Sequence, residues 1–182
     1  MKTLPDHLAP GLDIVFVGIN PGRYSAEVGH YFATPRNRFW AAVNRSGLLE
    51  EHLSADTDRK ALQQGIGFTD VVNRPSSSAS QLRADDYRRG APALKQKLVR
   101  FSPRIVCFHG LTGYRNYLKH AEGLAVPLSL GLQSRPIGNA TVFVVPNPSP
   151  ANAKFSLDTL VCWYRRLKEL RDSLAPRPAT DR

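Results

Sequence analysis

The chain has 182 residues, of which 42% are hydrophobic, and this is enough to bury the core of one domain. Lysine and arginine number 25 against 15 aspartates and glutamates, so the formal net charge is +10 and the pI is near 10.1. This excess favours a polyanionic partner, nucleic acid first, over the alternative of a basic surface that serves only solubility.

The sequence has no pattern for export or membrane insertion. Residues 1–6 lack the apolar core of a signal peptide, and no apolar run approaches the roughly 20 residues of a membrane span, so we expect a cytoplasmic protein without a membrane partner. The two cysteines, Cys107 and Cys162, are too few for a zinc or iron–sulfur site built from cysteine alone. Both are predicted to be reduced core residues.

The first predicted element is a buried strand that ends in a glycine-bracketed loop. Ile14 to Val17 are β-branched or aromatic without alternation, which is typical of a central parallel strand covered on both faces. Ligands bind beyond the carboxyl ends of such strands. The loop Gly18 to Gly22 follows there, with Pro21 to stiffen it. We predict that Asn20 faces a pocket, with an ordinary turn as the alternative.

Residues 23–38 are rich in arginine and aromatic residues, have little apolar periodicity, and are predicted to form a functional loop. Thr34 and Pro35 have the pattern of an N-cap and a first helical residue, and that helix should end at Gly47. Phe32 is a candidate for an aromatic face in the Asn20 pocket. The alternative is a buried staple or core residue.

A short helix over Thr57 to Gln64 and a strand over Gly67 to Val72 are predicted next. Asp70 interrupts this strand, and a carboxylate there is more often a cap or turn ligand than a catalytic group. The serine-rich segment Asn73 to Ser80 suits either hydrogen bonds to phosphates or simple solvation.

The following helix should be capped near Asp85 or Asp86 and end before Pro103. Arg104 to Gly110 is the next apolar strand, with His109 at its carboxyl end. A histidine in that place can act as an acid or base, but a hydrogen-bonded structural role is the more common one.

The C-terminal third should contain a helix over Leu111 to His120, an undefined connector over residues 123–138, a strand over Thr141 to Pro146 and a helix capped by Ser156. Strands with intervening helices predict an α/β fold, a three-layer α/β/α sandwich with a central, mainly parallel sheet of four to five strands. We expect a single domain over residues 1–175 and a frayed tail over residues 176–182.

Motifs on these strands and loops occur in the order found in one family of DNA repair enzymes. They are Gly18-Ile19-Asn20-Pro21-Gly22, Phe32-Ala33 with Pro35, Asn37-Arg38-Phe39-Trp40, Gly67-Phe68-Thr69, Arg74-Pro75 and Pro146-Asn147-Pro148-Ser149. Over residues 12–172 the chain resembles the mismatch-specific uracil-DNA glycosylases and the related thymine-DNA glycosylases. The resemblance implies the uracil-DNA glycosylase fold, monofunctional hydrolysis of the N-glycosidic bond of uracil at the start of base excision repair, and no metal or organic cofactor.

The resemblance also implies roles for single residues. Asn20 would position the water that attacks the sugar. Because the base must leave the helix to react, the pocket needs an aromatic platform, for which Phe32 is the candidate. The backbone near Gly18, Ile19 and Phe32 would contact the edge of the pyrimidine.

Further residues are assigned to substrate and DNA by the same resemblance. Asn147 and Ser149 would complete the substrate pocket. The predicted DNA-binding residues are Arg23, Arg74, Ser76, Pro150, Ala151, Asn152 and Lys154. The expected partner is double-stranded DNA with uracil or a mismatch, or single-stranded DNA, bound by a monomer.

The sequence departs from this family in two places. Asp70 stands where the bacterial enzymes have lysine and the thymine enzymes have asparagine, and a carboxylate there would orient or deprotonate the water or stabilise a cationic sugar. We predict Asp70 to be a second catalytic residue. After Ser149, the segment 150–155 lacks the leucine and arginine with which the bacterial relatives fill the gap left by the flipped nucleotide. This departure predicts weaker discrimination between a guanine partner, an adenine partner and single strands than in relatives that have this wedge.

Other functions remain open at this stage. One is a uracil glycosylase with a broader range of damaged bases, and another is a catalytically silent DNA-lesion-binding protein of the same fold. A nucleotide-binding α/β protein is disfavoured, because the sequence has neither Gly-x-Gly-x-x-Gly nor a phosphate-binding Gly-Lys-Ser or Gly-Lys-Thr loop.

Overall fold

Within residues 2–174, which the computed structural model describes, the chain folds around a five-stranded sheet. The strands are Ile14–Gly18 (β1), Ile66–Asp70 (β2), Ile105–His109 (β3), Gly131–Leu132 (β4) and Thr141–Val145 (β5). Their order is β2-β1-β3-β5-β4; β4 is antiparallel to β5, and the other pairs are parallel. With helices on both faces, this confirms the predicted α/β/α sandwich.

The strand β4 lies in the connector that the sequence left undefined. It has two residues, and its Gly131 takes a positive φ of 99°. A strand of two residues is too short to show the alternation of apolar and polar residues that indicates a strand. It forms because it pairs with the edge of β5, where Gly131 lies opposite Val144. At the other edge of the sheet, His7 exchanges two backbone hydrogen bonds of 2.9 Å with Phe68 of β2. The N-terminal segment therefore covers part of this edge strand.

Helices cover both faces of the sheet. The α-helices are Arg23–Val28 (α1), Phe39–Ser46 (α2), Ala84–Phe101 (α3), Leu111–Tyr117 (α4) and Leu157–Ser173 (α5), with 3₁₀ helices at Ala55–Gln64 and Ala79–Gln81 and a π-helical turn at Leu118–Glu122. α2 packs with α5 on one face, and α3 packs with α4 on the other. In the described part of the chain, no helix is long and apolar enough to cross a bilayer.

The prediction of a loop over residues 23–38 was wrong in part, because α1 lies within it. This helix has six residues and buries Ser25 and Ala26. Two small buried residues make no apolar stripe, so no hydrophobic periodicity indicates a helix here.

The start of α2 was also predicted wrongly. The helix begins at Phe39 and not at Pro35, because Arg36 takes a left-handed φ of 64° that no α-helix accommodates. The Thr34 hydroxyl therefore lies 3.5 Å from the Ser25 hydroxyl and does not cap α2.

The remaining helix ends follow the sequence more closely. Ser156 caps α5 as predicted, its Oγ accepting the Thr159 N–H at 3.1 Å. The N-cap of α3 is Arg83 and not Asp85 or Asp86 as predicted; Asp86 lies three residues later, where its carboxylate accepts the Arg83 N–H at 2.8 Å. Residues 55–64 are 3₁₀ rather than α, and α4 changes to a π-helical turn after Tyr117. The predicted tail, residues 176–182, lies outside the described residues.

Aromatic side chains fill the core on the α2 and α5 face, beneath the carboxyl edge of the sheet. Phe16 on β1 contacts Phe39, Phe68 and Tyr164, with ring centroids 5.3 to 6.1 Å apart. These rings form a rigid floor under the loops that follow the strands. Cys107 is buried as predicted, whereas Cys162 is exposed on α5.

Candidate active site

The loops after β1, β2, β3 and β5 meet at the carboxyl edge of the sheet, beside the point where the strand order reverses. Gly18 is paired with Asp70 in the register of β1 and β2. Asn147, after β5, lies against Gly110, where an added Cβ would be 3.2 Å from the Asn147 Cβ. The sheet therefore brings the loops that carry Asn20, Asp70 and Asn147 to one edge.

The Asn20 amide is held in one orientation by three acceptors. Its Nδ2 donates to the backbone oxygens of Pro21 (3.1 Å) and Arg74 (3.0 Å) and to the Ser76 hydroxyl (2.8 Å). That hydroxyl donates in turn to the Ser78 backbone oxygen at 2.8 Å, so it acts as an acceptor toward Asn20. Asn20 Oδ1 has no hydrogen-bond partner within residues 2–174, and it is free to accept a hydrogen bond from a ligand or a water.

Two residues predicted to contact DNA support this loop instead. Ser76 is 3% exposed, and its hydroxyl is engaged within the protein, which argues against a phosphate contact. The Arg74 guanidinium donates to both oxygens of Asp86, at 3.1 and 2.7 Å, and holds the pKa of that carboxyl below its usual range. Arg74 is half-exposed, but the Asp86 carboxylate compensates most of its charge, which leaves little of it for a phosphate.

Asp70 is a carboxyl without a hydrogen-bond partner in the described part of the chain. Its side chain is 7% exposed, and a Cβ added to Gly18 would lie 2.3 Å from its Oδ1, so only glycine fits there. Burial raises the pKa of Asp70 to about 8, helped by the Asp6 carboxylate and opposed by Lys97. Lys97 is itself paired with Asp6, Nζ to Oδ2 at 2.7 Å. A buried carboxyl that ionises near pH 8 at the carboxyl edge of the sheet is a candidate acid or base.

Phe32 lies on the same face of the sheet as Asp70. Its ring stacks on Phe39 with centroids 3.9 Å apart and meets Phe68 edge-on at 5.7 Å, and Phe68 shares a face of β2 with Asp70. Phe32 has a left-handed φ of 56°, which is uncommon for an aromatic residue. Its backbone N–H has no partner among the described residues and is free to donate to a ligand.

Two polar residues that the sequence did not single out hold Phe32 in this conformation. Asp58, which is fully buried, accepts the Tyr31 N–H at 2.7 Å and contacts His30 Nδ1 at 3.1 Å. On the other side, Ser25 Oγ accepts the Ala33 N–H at 3.1 Å. The Asp58 contacts join segments 27 and 28 residues apart, and the Ser25 contact spans eight residues across a loop without periodicity, so no local pattern indicated them.

His109 has a structural role, the alternative that the sequence analysis favoured. It is buried, stacks on Phe16 with centroids 5.1 Å apart, and its Nε2 lies 3.0 Å from the Tyr164 hydroxyl. Burial lowers the pKa of His109 to about 3, so the ring is neutral at physiological pH. It also meets the Phe32 ring edge-on, with centroids 5.3 Å apart.

The loop after β5 is organised by Asn147 and Arg38. Asn147 Oδ1 accepts the Ser149 N–H at 2.9 Å, while its Nδ2 has no partner within the described residues and can donate to a ligand. The Arg38 guanidinium donates to the backbone oxygens of four loop residues, Pro148 (3.3 Å), Ser149 (3.0 Å), Asn152 (2.8 Å) and Phe155. Arg38 thus fixes the loop from the start of α2, a role that its sequence motif alone did not indicate.

Residues 5–171 match the family model of the Uracil DNA glycosylase superfamily. The chain belongs to this superfamily. The solution NMR structure of a candidate uracil DNA glycosylase from Methanosarcina acetivorans has the same fold, with a TM-score of 0.60 at 22% identity over 92% of this chain and 98% of that chain. Family and fold together make the protein a DNA glycosylase, a hydrolase that acts on DNA.

The remaining predicted DNA contacts of this glycosylase differ in exposure. Arg23, Pro150, Ala151 and Lys154 are exposed. Asn152 is half-buried, and its Nδ2 donates to the Asn147 backbone oxygen at 3.0 Å, so its amide serves the loop. Within residues 2–174, no group of three or more His, Cys, Asp or Glu side chains is arranged to hold a metal ion.

Arg38→Met should reduce uracil excision by about tenfold or more, because the loop over residues 148–155 loses the donor that fixes four of its carbonyl oxygens. Single-turnover rates on a uracil-containing duplex provide the measurement. Arg45→Met is the matched control, since Arg45 lies on the same helix but forms an exposed ion pair with Asp158. Equal rates for the two variants would contradict the role assigned to Arg38.

Proposed function

We propose that this glycosylase is a monofunctional uracil-DNA glycosylase related to the mismatch-specific enzymes, with a weaker dependence on the opposite base than theirs. It flips uracil out of DNA and hydrolyses the N-glycosidic bond, which initiates base excision repair. The observation that carries the proposal is the Asn20 amide, whose nitrogen is bound by three acceptors so that Oδ1 is presented at the edge of the sheet that also carries Asp70.

The flipped base stacks on Phe32, whose ring is partly exposed and lies on the face of the sheet that carries Asp70. The Phe32 N–H and the Asn147 Nδ2, both unpartnered within residues 2–174, supply donors for the charge that develops on the departing base. The bond between the sugar carbon and the base nitrogen breaks, and its electron pair leaves with the base.

A water then attacks the cationic sugar carbon, oriented by a hydrogen bond to Asn20 Oδ1. An amide is not a strong base, but an oxocarbenium-like sugar requires an oriented water more than a deprotonated one. Asp70, when ionised, stabilises the positive sugar and accepts the proton that the water releases as its oxygen bonds to carbon. The products are the free base and an abasic site with an intact strand.

A single assay tests this function. A labelled duplex with one uracil is incubated with the protein and then treated with alkali, which cleaves the strand only where the base has been removed. The proposal requires cleavage after alkali and an intact strand without it. If no cleavage occurs, a gel-shift measurement on the same duplex separates the alternatives: tight binding without excision would indicate the catalytically silent lesion-binding protein, and neither binding nor excision would refute both functions.

The opposite base should have little influence on excision. The loop over residues 150–154 exposes Pro150, Ala151 and Lys154, and none of these is a large apolar wedge. We expect uracil opposite guanine, uracil opposite adenine and uracil in a single strand to be removed at rates within about tenfold of one another. Single-turnover rates on the three substrates provide the comparison, and a strong preference for guanine would contradict the expectation.

A further inference from the structure

The helix α1 presents an exposed aromatic ring beside the Asn20 loop. Tyr24 is 48% exposed, and Val28, one turn later, is 41% exposed, while Ser25 and Ala26 form the buried face. Among the large hydrophobic residues that are exposed within residues 2–174, Tyr24 is the one aromatic residue. Isolated apolar residues on a surface need no explanation, but Tyr24 and Val28 lie one turn apart on the helix that directly follows the Asn20 loop.

Tyr24 lies within reach of the DNA that flanks a nucleotide bound at Asn20. Tyr24 is the fourth residue after Asn20, so their Cα atoms are at most about 14 Å apart. The chain also turns between them at Gly22, which pairs with Ser76 and is the N-cap of α1. Successive nucleotides of a stacked strand are about 3.4 Å apart, so the neighbours of the flipped nucleotide fall within this distance.

The charges around Tyr24 suit a phosphate backbone. Arg23 is exposed and has no carboxylate partner in the described part of the chain. Lys2 donates to the Glu27 backbone oxygen at 2.8 Å, which places a second cation at the end of α1. The Glu27 side chain is the acidic group on this face. The phosphates should therefore pass on the side of Arg23.

We propose that Tyr24 stacks on the nucleotide next to the flipped one in the substrate strand. The proposal rests on the proposed function, since it needs a nucleotide flipped at Asn20. Flipping leaves a neighbouring base without its stacking partner, and the loop over residues 150–154 has no large apolar side chain to replace it. The ring of Tyr24 supplies that surface for any base, because every base has a π-face.

The test measures binding with a substrate that cannot be cleaved. An oligonucleotide carries 2′-fluoro-deoxyuridine with 2-aminopurine beside it, and the emission of 2-aminopurine falls when it stacks. We expect Tyr24→Ala to weaken binding by about tenfold and to raise the emission of the bound 2-aminopurine, since a base–aromatic stack is lost. Tyr24→Phe and Tyr24→Trp should keep both properties of the original protein. Leu132→Ala, which removes an exposed side chain on β4, is the control.

Two outcomes would overturn the role of Tyr24. One is binding and emission by Tyr24→Ala that match those of Leu132→Ala. The other is a loss in Tyr24→Phe as large as that in Tyr24→Ala, which would assign the effect to the hydroxyl and not to the ring. Failure of the proposed function is distinct, because the unsubstituted protein would then leave uracil in an unmodified oligonucleotide.

Discussion

Replacement of Asn20 by alanine is expected to reduce single-turnover excision of uracil by about 10²- to 10⁴-fold, the usual contribution of a positioned catalytic group. The loss should fall on the rate and not on DNA affinity, because the Asn20 nitrogen is bound to the protein and Oδ1 alone is available to the reaction. Rates at saturating enzyme, together with binding to a 2′-fluoro-deoxyuridine duplex, separate the two effects.

The Asn20→Ala variant also needs a test of folding. Its substitution leaves the Pro21 and Arg74 backbone oxygens without their amide donor, at a cost of about 1–2 kcal/mol in the free energy of unfolding, which urea denaturation measures. Asn116→Ala is a matched control, because that amide donates to Thr112 within α4 and away from the loop. If Asn20→Ala excised uracil as fast as Asn116→Ala, Asn20 would have no catalytic role.

Asp70→Asn should lower single-turnover excision by about 10- to 10³-fold and remove the pH dependence of the reaction. Only the ionised carboxylate can accept a proton, and the pKa of Asp70 is raised to about 8. The kcat/KM of the original protein should therefore rise by about tenfold per pH unit below about pH 8 and level off above it. A variant with the original rate and pH profile would exclude Asp70 from the chemistry.

Ionisation of Asp70 should increase the excision rate but decrease the free energy of unfolding. Between its ordinary pKa of 3.8 and the folded value of about 8, Asp70 is ionised in the unfolded chain and protonated in the folded one. The unfolded state then binds fewer protons, so the free energy of unfolding decreases as pH rises through this range. Asp70→Asn lacks this decrease and should be more stable than the original protein at pH 8, by on the order of 2–5 kcal/mol. The same stability difference at about pH 4 and at pH 8 would contradict the assignment.

The central part of the fold could be predicted from the sequence because its signals are local. The run Ile14 to Val17 is apolar on both faces, and only a central parallel strand suits it. Its carboxyl end then locates Asn20 at the ligand-binding edge of the sheet. Asp70 could be found in the same way, since β2 ends at it and pairs in parallel with β1.

The parts that the sequence did not predict depend on distant contacts. β4 exists because β5 offers it an edge, and α1 has too few apolar residues to show a period. Ser76 has the composition of a phosphate ligand, yet folding buries it against Asn20. Arg38 is more than a hundred residues from the carbonyl oxygens that it holds. Such roles follow from the tertiary structure alone.

The central claim is that Asn20 and Asp70 act on one water, and a double-variant cycle tests it most directly. Single-turnover excision of uracil is measured above pH 8 for the original protein, Asn20→Ala, Asp70→Asn and the double variant. If both side chains act on the same water, the double variant should be little slower than the slower single variant, because groups that act as a unit are not additive. A double variant whose loss equals the product of the two single losses would contradict the claim.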